Sequence, residues 1–146
     1  MTEMPGWQHI GKDQRWRNSA LHQLREMIER DRNHPSVILW GVRINESQDD
    51  DEFYARTNEM ARYLDPSRPT GGVRNFARSH LLEDVYTYND FSHDGVKKAL
   101  ADPKKITTNL SDPYLVTEHT GHMFPCRADD PEPLRTEHAL RHARVL

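Results

Sequence analysis

The sequence predicts an α/β fold built on a parallel sheet, and three observations carry that expectation. Apolar runs of strand length alternate with helical patterns, the order that parallel α/β units produce. The run Val37-Ile38-Leu39-Trp40-Gly41-Val42-Arg43-Ile44 is too continuous for a strand with one wet face. Such runs belong to sheets covered on both sides. Finally, two acidic residues close runs of this kind: Glu46 after Val37–Ile44, and Glu118 after Pro113-Tyr114-Leu115-Val116-Thr117. A carboxylate beside a core strand is costly unless it is paired or hydrogen-bonded, so both ask for a reason.

The elements follow in order. The opening, Met1 to Trp7, reads as a polar and aromatic loop. Leu21, Leu24, Met27 and Ile28 then recur at helical spacing, with Asn18 or Ser19 as N-cap and a stop near Arg30 to Arg32. That stop is set by His34-Pro35, since the residue before proline avoids helical geometry. After the strand Val37–Ile44, Asp49, Asp50 and Asp51 place negative charge where a helix dipole favours it. Phe53, Thr57, Met60 and Leu64 mark the buried face of that helix, and Asp65-Pro66 ends it. Gly71–Asn75, Val85–Tyr88 and Tyr114–Thr117 are the remaining strand candidates. A short helix is expected around Val96 to Leu100, and a last one over Leu134 to Leu146. The chain opens in a loop and closes inside a helix, so the architecture expected is part of a larger α/β domain.

Composition narrows the function classes. The 146 residues suit one domain with one core. Twenty basic and 23 acidic side chains are interspersed for a net charge of −3, leaving no basic stripe to neutralise a nucleic-acid backbone. The hydrophobic fraction is 35 % and the mean hydropathy −0.93, and no stretch has the apolar length a membrane helix needs. No basic-then-apolar leader is present, which tilts the expected location toward the cytoplasm. The single cysteine, Cys126, excludes an internal disulfide.

Two carboxylates flanking a scissile bond are the equipment of a glycosidase. Asn45 and Glu46 stand where a strand ends, the mouth at which α/β folds place their sites. The alternative is that Glu46 and Ser47 simply open the Asp-rich helix. Side chains alternate along a strand, so Asn45 and Glu46 reach one site only if the chain bends there. Glu118 shares the context, which strengthens both. Tyr86-Thr87-Tyr88-Asn89-Asp90 ends another strand on the same side. Tyr88 is placed to hydrogen-bond a carboxylate and favour its ionised form, or else is a half-buried strand aromatic. Trp7 is a candidate to stack on a sugar face, or a packing plug.

His119 and His122 after Glu118, and His138 with His142 on the last helix, raise a metal reading. His-x-x-His alone is a weak signal, no His-Glu-x-x-His occurs, and solvated faces explain such pairs more simply. Neither a metal nor an organic cofactor is expected: the chain has no Gly-rich phosphate loop and no nucleophile elbow. A metal-dependent hydrolase is the least favoured reading, and stoichiometric zinc would be its signature.

Arg30-Asp31-Arg32-Asn33-His34-Pro35-Ser36-Val37-Ile38-Leu39-Trp40, running on to Asn45-Glu46, resembles the acid/base signature of glycoside hydrolase family 2. Pro113 to Glu118 resembles its nucleophile strand, and Leu64-Asp65-Pro66-Ser67-Arg68-Pro69 the turn between them. The three motifs stand in the family's order and span essentially the whole chain. The resemblance implies that residues 1–146 are a fragment of a catalytic (β/α)8 TIM barrel covering about strands 4 to 7 with their helices. On that mapping Glu3 and Trp7 belong to the loop leaving the third strand.

What the resemblance implies chemically is a retaining hydrolase of terminal β-glycosidic bonds. β-Galactosidase specificity is the first expectation, with β-glucuronidase or β-mannosidase as alternatives. Glu46 is then the acid/base and Glu118 the nucleophile. Asn45 contacts the sugar 2-hydroxyl, and Tyr88, Asn75, Trp7 and His122 complete the substrate-binding set. Two departures leave the sugar open: Ile44 stands where members commonly carry Gly, and His119 where the nucleophile is usually followed by an aromatic. The first three strands, the eighth strand with its tryptophan and the accessory β-sandwich domains are absent. The isolated chain is accordingly expected to associate through exposed barrel edges and to be catalytically poor or silent. Its expected partner is a carbohydrate substrate, with neither nucleic acid nor membrane.

Overall fold

The computed structural model describes residues 1–74, 79–90, 111–119 and 127–145. Five strands form one parallel sheet in chain order: β1 (Thr2–Glu3), β2 (Trp40–Gly41), β3 (Thr70–Val73), β4 (Val85–Asp90) and β5 (Tyr114–His119). Each strand pairs with the next, so every crossover steps the same way. That is the winding of a barrel wall, not of a doubly wound sheet. Helix α1 (Gln14–Asp31) connects β1 to β2, and α2 (Asp51–Leu64) connects β2 to β3. The last helix, α3 (Glu132–Val145), follows β5.

Helices α1 and α2 form because their apolar residues recur every three or four positions and their first turns are capped. Ala20, Leu21, Leu24, Met27 and Ile28 line the buried face of α1. Phe53, Tyr54, Thr57, Asn58 and Ala61 do so for α2. The Asp50 side chain accepts from the Phe53 N–H at 3.0 Å, and it also receives Arg17 at 2.6 Å, tying α2 to α1. The cap of α1 differs from the sequence expectation. Asp13 accepts from the Trp16 N–H at 3.0 Å, and the helix begins four to five residues before Asn18 and Ser19. Trp16 explains the early start, since its ring packs on Phe53 at 5.6 Å between centroids and rewards the extra turn.

The strands depart from expectation in two places. Thr2–Glu3, read as loop, is a fifth strand held by Thr2 N–H to Leu39 at 3.2 Å and Met4 N–H to Gly41 at 2.9 Å. A two-residue strand carries no periodicity to detect. The long run Val37–Ile44 contributes only Trp40–Gly41 to the ladder. Val37 instead closes a turn on His34, and Ile38 is 68 % exposed. Glycine is required at Gly41, where a Cβ would lie 2.3 Å from that of Glu3. It is required again at Gly72, where a Cβ would meet that of Arg43 at 2.4 Å.

The core lies between the sheet and the two helices. Met4, Leu24, Ile28, Trp40, Val42, Ile44, Phe53 and Tyr54 are almost wholly buried in it. At its lower end Trp40 donates through Nε1 to Asp65 at 3.0 Å. Asp65 also receives the Ser67 N–H and hydroxyl and the Arg68 guanidinium. Burial alone would raise the Asp65 carboxyl, but these donors outweigh it and hold it down to about 2. The Leu64–Pro69 turn is thereby fastened to the strand that leads to Glu46.

Candidate active site

The carboxyl ends of the five parallel strands lie at one end of the sheet, and the candidate side chains gather there. Glu3 ends β1, Asn45 and Glu46 follow β2, Asn89 lies near the end of β4, and Glu118 near the end of β5. Glu3, Asn45, Asn89, Thr117 and Glu118 line a cleft of about 450 Å³.

The bend demanded at Asn45-Glu46 is present. Glu46 has φ +52°, the left-handed region that a residue with a Cβ adopts only when its surroundings enforce it. Bonds on both sides enforce it here. The Glu46 N–H donates to Val73 at 3.1 Å, Ser47 N–H to Ile44 at 3.1 Å, and Gln8 N–H to the Asn45 carbonyl at 2.8 Å. Asn45 bridges Trp7, and Ser47 bridges Arg74. The Ser47 hydroxyl is further hydrogen-bonded to the buried Tyr54 hydroxyl. The turn is therefore clamped by β3, by α2 and by the loop after β1.

Beneath this turn lies a buried ion cluster. Arg43 bonds Glu83 at 3.2 Å and Asp49 at 3.0 Å, and Arg74 pairs with the other oxygen of Glu83. The guanidinium carbons of Arg43 and Arg74 sit 4.2 and 4.4 Å over the rings of Tyr54 and Tyr86. Burial, and secondarily the charge of Arg43, push the Arg74 guanidinium below its ordinary range, with Glu83 opposing. Removing one member of such a cluster leaves an uncompensated buried charge, a strongly destabilising change.

The two glutamates converge. Glu46 accepts from the Trp7 indole N–H at 2.9 Å and from the Gln8 amide at 3.4 Å, both on Oε2. Its other oxygen faces Asn89, whose Nδ2 lies 3.4 Å from Glu46 Oε1 and 2.9 Å from Glu118 Oε2. Those contacts, 3.4 and 2.9 Å laid end to end, limit the separation of the two carboxylate oxygens to 6.3 Å. Asn45 Oδ1 is buried at the cleft with no hydrogen-bond partner among the described residues. The Glu3 carboxyl is held above its ordinary range, first by burial and then by the charge of Glu118, with the terminal ammonium opposing.

The expected residues fall into three groups. Glu46, Glu118, Asn45 and Trp7 come together, and Trp7 is 64 % exposed at the rim with its indole on Glu46. Tyr88 is half-buried on β4 and paired in register with Val116. Asn75 and His122 lie outside the described residues, as does the helix expected over 96–100. Among the described residues, no cluster of three or more His, Cys, Asp or Glu side chains is placed to hold a metal ion. Sequence reasoning missed Gln8, Glu3 as a cleft-lining carboxylate, and Asn89. Asn89 stood inside the strand-end motif already singled out, and adjacency to Trp7 was the available signal for Gln8.

Residues 1–138 match the family model described as glycosyl hydrolases family 2, TIM barrel domain. A β-galactosidase of Thermoanaerobacterium thermosulfurigenes is 56 % identical over 144 residues, covering 98 % of the chain and 20 % of the relative. One from Thermoanaerobacter pseudethanolicus is 51 % identical, covering 98 % of the chain and 18 % of the relative. The chain thus spans about a fifth of the length of the curated relatives it matches. In fold it is similar to an FMN-binding β-glucuronidase from Facaelibacterium prausnitzii, with TM-score 0.69 at 18 % identity, over 97 % of the chain and 25 % of that structure.

Proposed function

The chain belongs to glycosyl hydrolase family 2, and from that premise we propose that it carries the catalytic pair of a retaining β-galactosidase, with Glu46 as acid/base and Glu118 as nucleophile. One observation carries the reading: both carboxylates meet on the single side-chain amide of Asn89, their facing oxygens no more than 6.3 Å apart. That bound on the nearest oxygens is compatible with the roughly 5–5.5 Å between the carboxyl groups of retaining enzymes. The galactoside substrate is supported by the two relatives at 56 % and 51 % identity.

In the first half-reaction Glu118 attacks the anomeric carbon while protonated Glu46 gives its proton to the departing glycosidic oxygen. The bond to the leaving sugar breaks as the glycosyl ester forms. In the second, ionised Glu46 takes a proton from water, which attacks the same carbon and releases Glu118. Asn45, with its unpartnered Oδ1 at the cleft, would accept from the sugar 2-hydroxyl. Trp7 at the rim would offer its ring face to the sugar, and Asn75, Tyr88 and His122 would complete the substrate contacts.

The test uses the full polypeptide that the gene encodes. Glu118→Gln is expected to abolish turnover of every β-galactoside. Glu46→Gln should lose most activity on alkyl galactosides, which need the proton, and less on aryl galactosides with acidic leaving groups. A 2-deoxy-2-fluoro galactoside should leave its sugar on the peptide containing Glu118. Turnover unchanged in both variants, or a label on another residue, would sink the assignment.

A second reading concerns the 146 residues taken by themselves, for which a catalytically silent, self-associating state is favoured by one observation. Among the described residues, the edge strands β1 and β5 each have a neighbour on one side only.

A further inference from the structure

Asn89 touches both members of the proposed pair, and the sheet is built irregularly to let it do so. Along β4 and β5 the pairing runs Tyr86 to Tyr114, Thr87 to Leu115 and Tyr88 to Val116. It then skips Thr117, setting Asn89 opposite Glu118. In unbroken register Asn89 would face Thr117 instead. Such bulges beside active sites re-aim a side chain. The residue skipped is also used, since the Thr117 hydroxyl donates to Asn89 Oδ1 at 3.2 Å.

Chemistry fixes the amide's orientation. An ionised carboxylate only accepts, so the NH2 end must face the glutamates and the carbonyl end the hydroxyl. Its two N–H groups match the two acceptors, Glu118 Oε2 at 2.9 Å and Glu46 Oε1 at 3.4 Å. The shorter bond goes to the proposed nucleophile. Glu3 on β1 lines the same cleft as Glu118, so an uncharged donor between like charges is valuable.

We infer that Asn89 is a positioning residue of the reaction, a neutral clamp set by the β4–β5 bulge that fixes the spacing of the two carboxylates. The inference rests on the Glu46–Glu118 reading. Because the clamp holds both groups, its loss slows the first half-reaction on every substrate, whereas loss of the acid/base alone spares that step for leaving groups that need no proton.

The test compares Asn89→Ala, Asn89→Gln and Thr117→Val with wild type in the full polypeptide, on an aryl and an alkyl β-galactoside. Asn89→Ala should lower kcat by about tenfold or more on both substrates, the scale of a misplaced catalytic group, with KM changed far less. Asn89→Gln keeps the donors on a longer stem and should recover part of the loss. Thr117→Val, which frees the amide to turn, should show a smaller change in the same direction and covers the case in which Asn89→Ala does not fold. Kinetics of Asn89→Ala, or of Thr117→Val in that case, that superimpose on wild type overturn the clamp. The same result holds if only alkyl galactosides are affected. If Glu46→Gln and Glu118→Gln leave turnover intact, the underlying reading fails, and the clamp with it.

Discussion

At the scale of single residues, Trp7 is the case where structure changes the question. Its indole N–H donates to Glu46 Oε2 at 2.9 Å, so a ring expected to stack on sugar also holds the proposed acid/base. Trp7→Phe keeps an aromatic face and removes only the donor. If the hydrogen bond matters, the variant should lose about 1.5–3 kcal/mol of transition-state stabilisation on alkyl galactosides, the usual worth of a hydrogen bond to a charged group. KM should barely move, whereas Trp7→Ala should raise KM as well. Steady-state kinetics on both variants checks this, and a Trp7→Phe enzyme indistinguishable from wild type would leave stacking as the residue's whole role. The carboxylates themselves were legible, because each closes an apolar run and a strand end is where such groups collect. Their donors were not. Trp7 and Gln8 reach Glu46 only because the Glu46 backbone turns left-handed, and Asn89 reaches Glu118 only through a bulge. Neither feature leaves a mark in residue order.

At the scale of elements, legibility followed length. Helix α2 was readable from three aspartates and a four-residue stripe, and it runs Asp51–Leu64 as those signs require. Helix α1 was readable except at its start, where tertiary packing of Trp16 moved the cap to Asp13. Strand β1 was invisible because two residues have no period. The joint between α2 and the β2–β3 pair makes a pH prediction. Asp65, with its side chain 7 % exposed, is held down to about 2 by Ser67, Arg68 and Trp40 against the opposing effect of burial. Its value in an unfolded chain is about 3.9, so folding favours the ionised form by about 2 kcal/mol. That contribution is fully present above the unfolded value and is lost as pH falls toward and through the folded one. Asp65→Asn should therefore be destabilised by about 2 kcal/mol or more at pH 7, since it also strands the Arg68 charge. Urea denaturation at neutral pH and below about pH 4 should show the gap between variant and wild type narrowing on the acid side. A gap independent of pH would mean that packing, not charge, holds this turn.

At the scale of the whole molecule, the parallel order β1-β2-β3-β4-β5 places Glu3, Asn45, Glu46, Asn89 and Glu118 at one end of the sheet and also leaves the sheet unclosed within the described residues. A closed barrel has no edges, whereas here, among the described residues, no strand lies beside the outer sides of Thr2–Glu3 and Tyr114–His119. An apolar side chain stands on one of these edges, Leu115 on β5 at 44 % exposed. Edges of this kind pair with other edges, so the 146-residue chain expressed alone should associate. Light scattering across a concentration series should report dimers or larger species. Leu115→Lys, which sets a charge on the β5 edge, should return part of the population to monomer. Aryl β-galactosides should be hydrolysed poorly or not at all by this chain, since the five described strands form only part of a barrel wall around the cleft. A monodisperse monomer with clear hydrolysis would reverse the argument. The five strands would then be a sufficient active-site wall, and closure of the barrel would serve stability rather than chemistry.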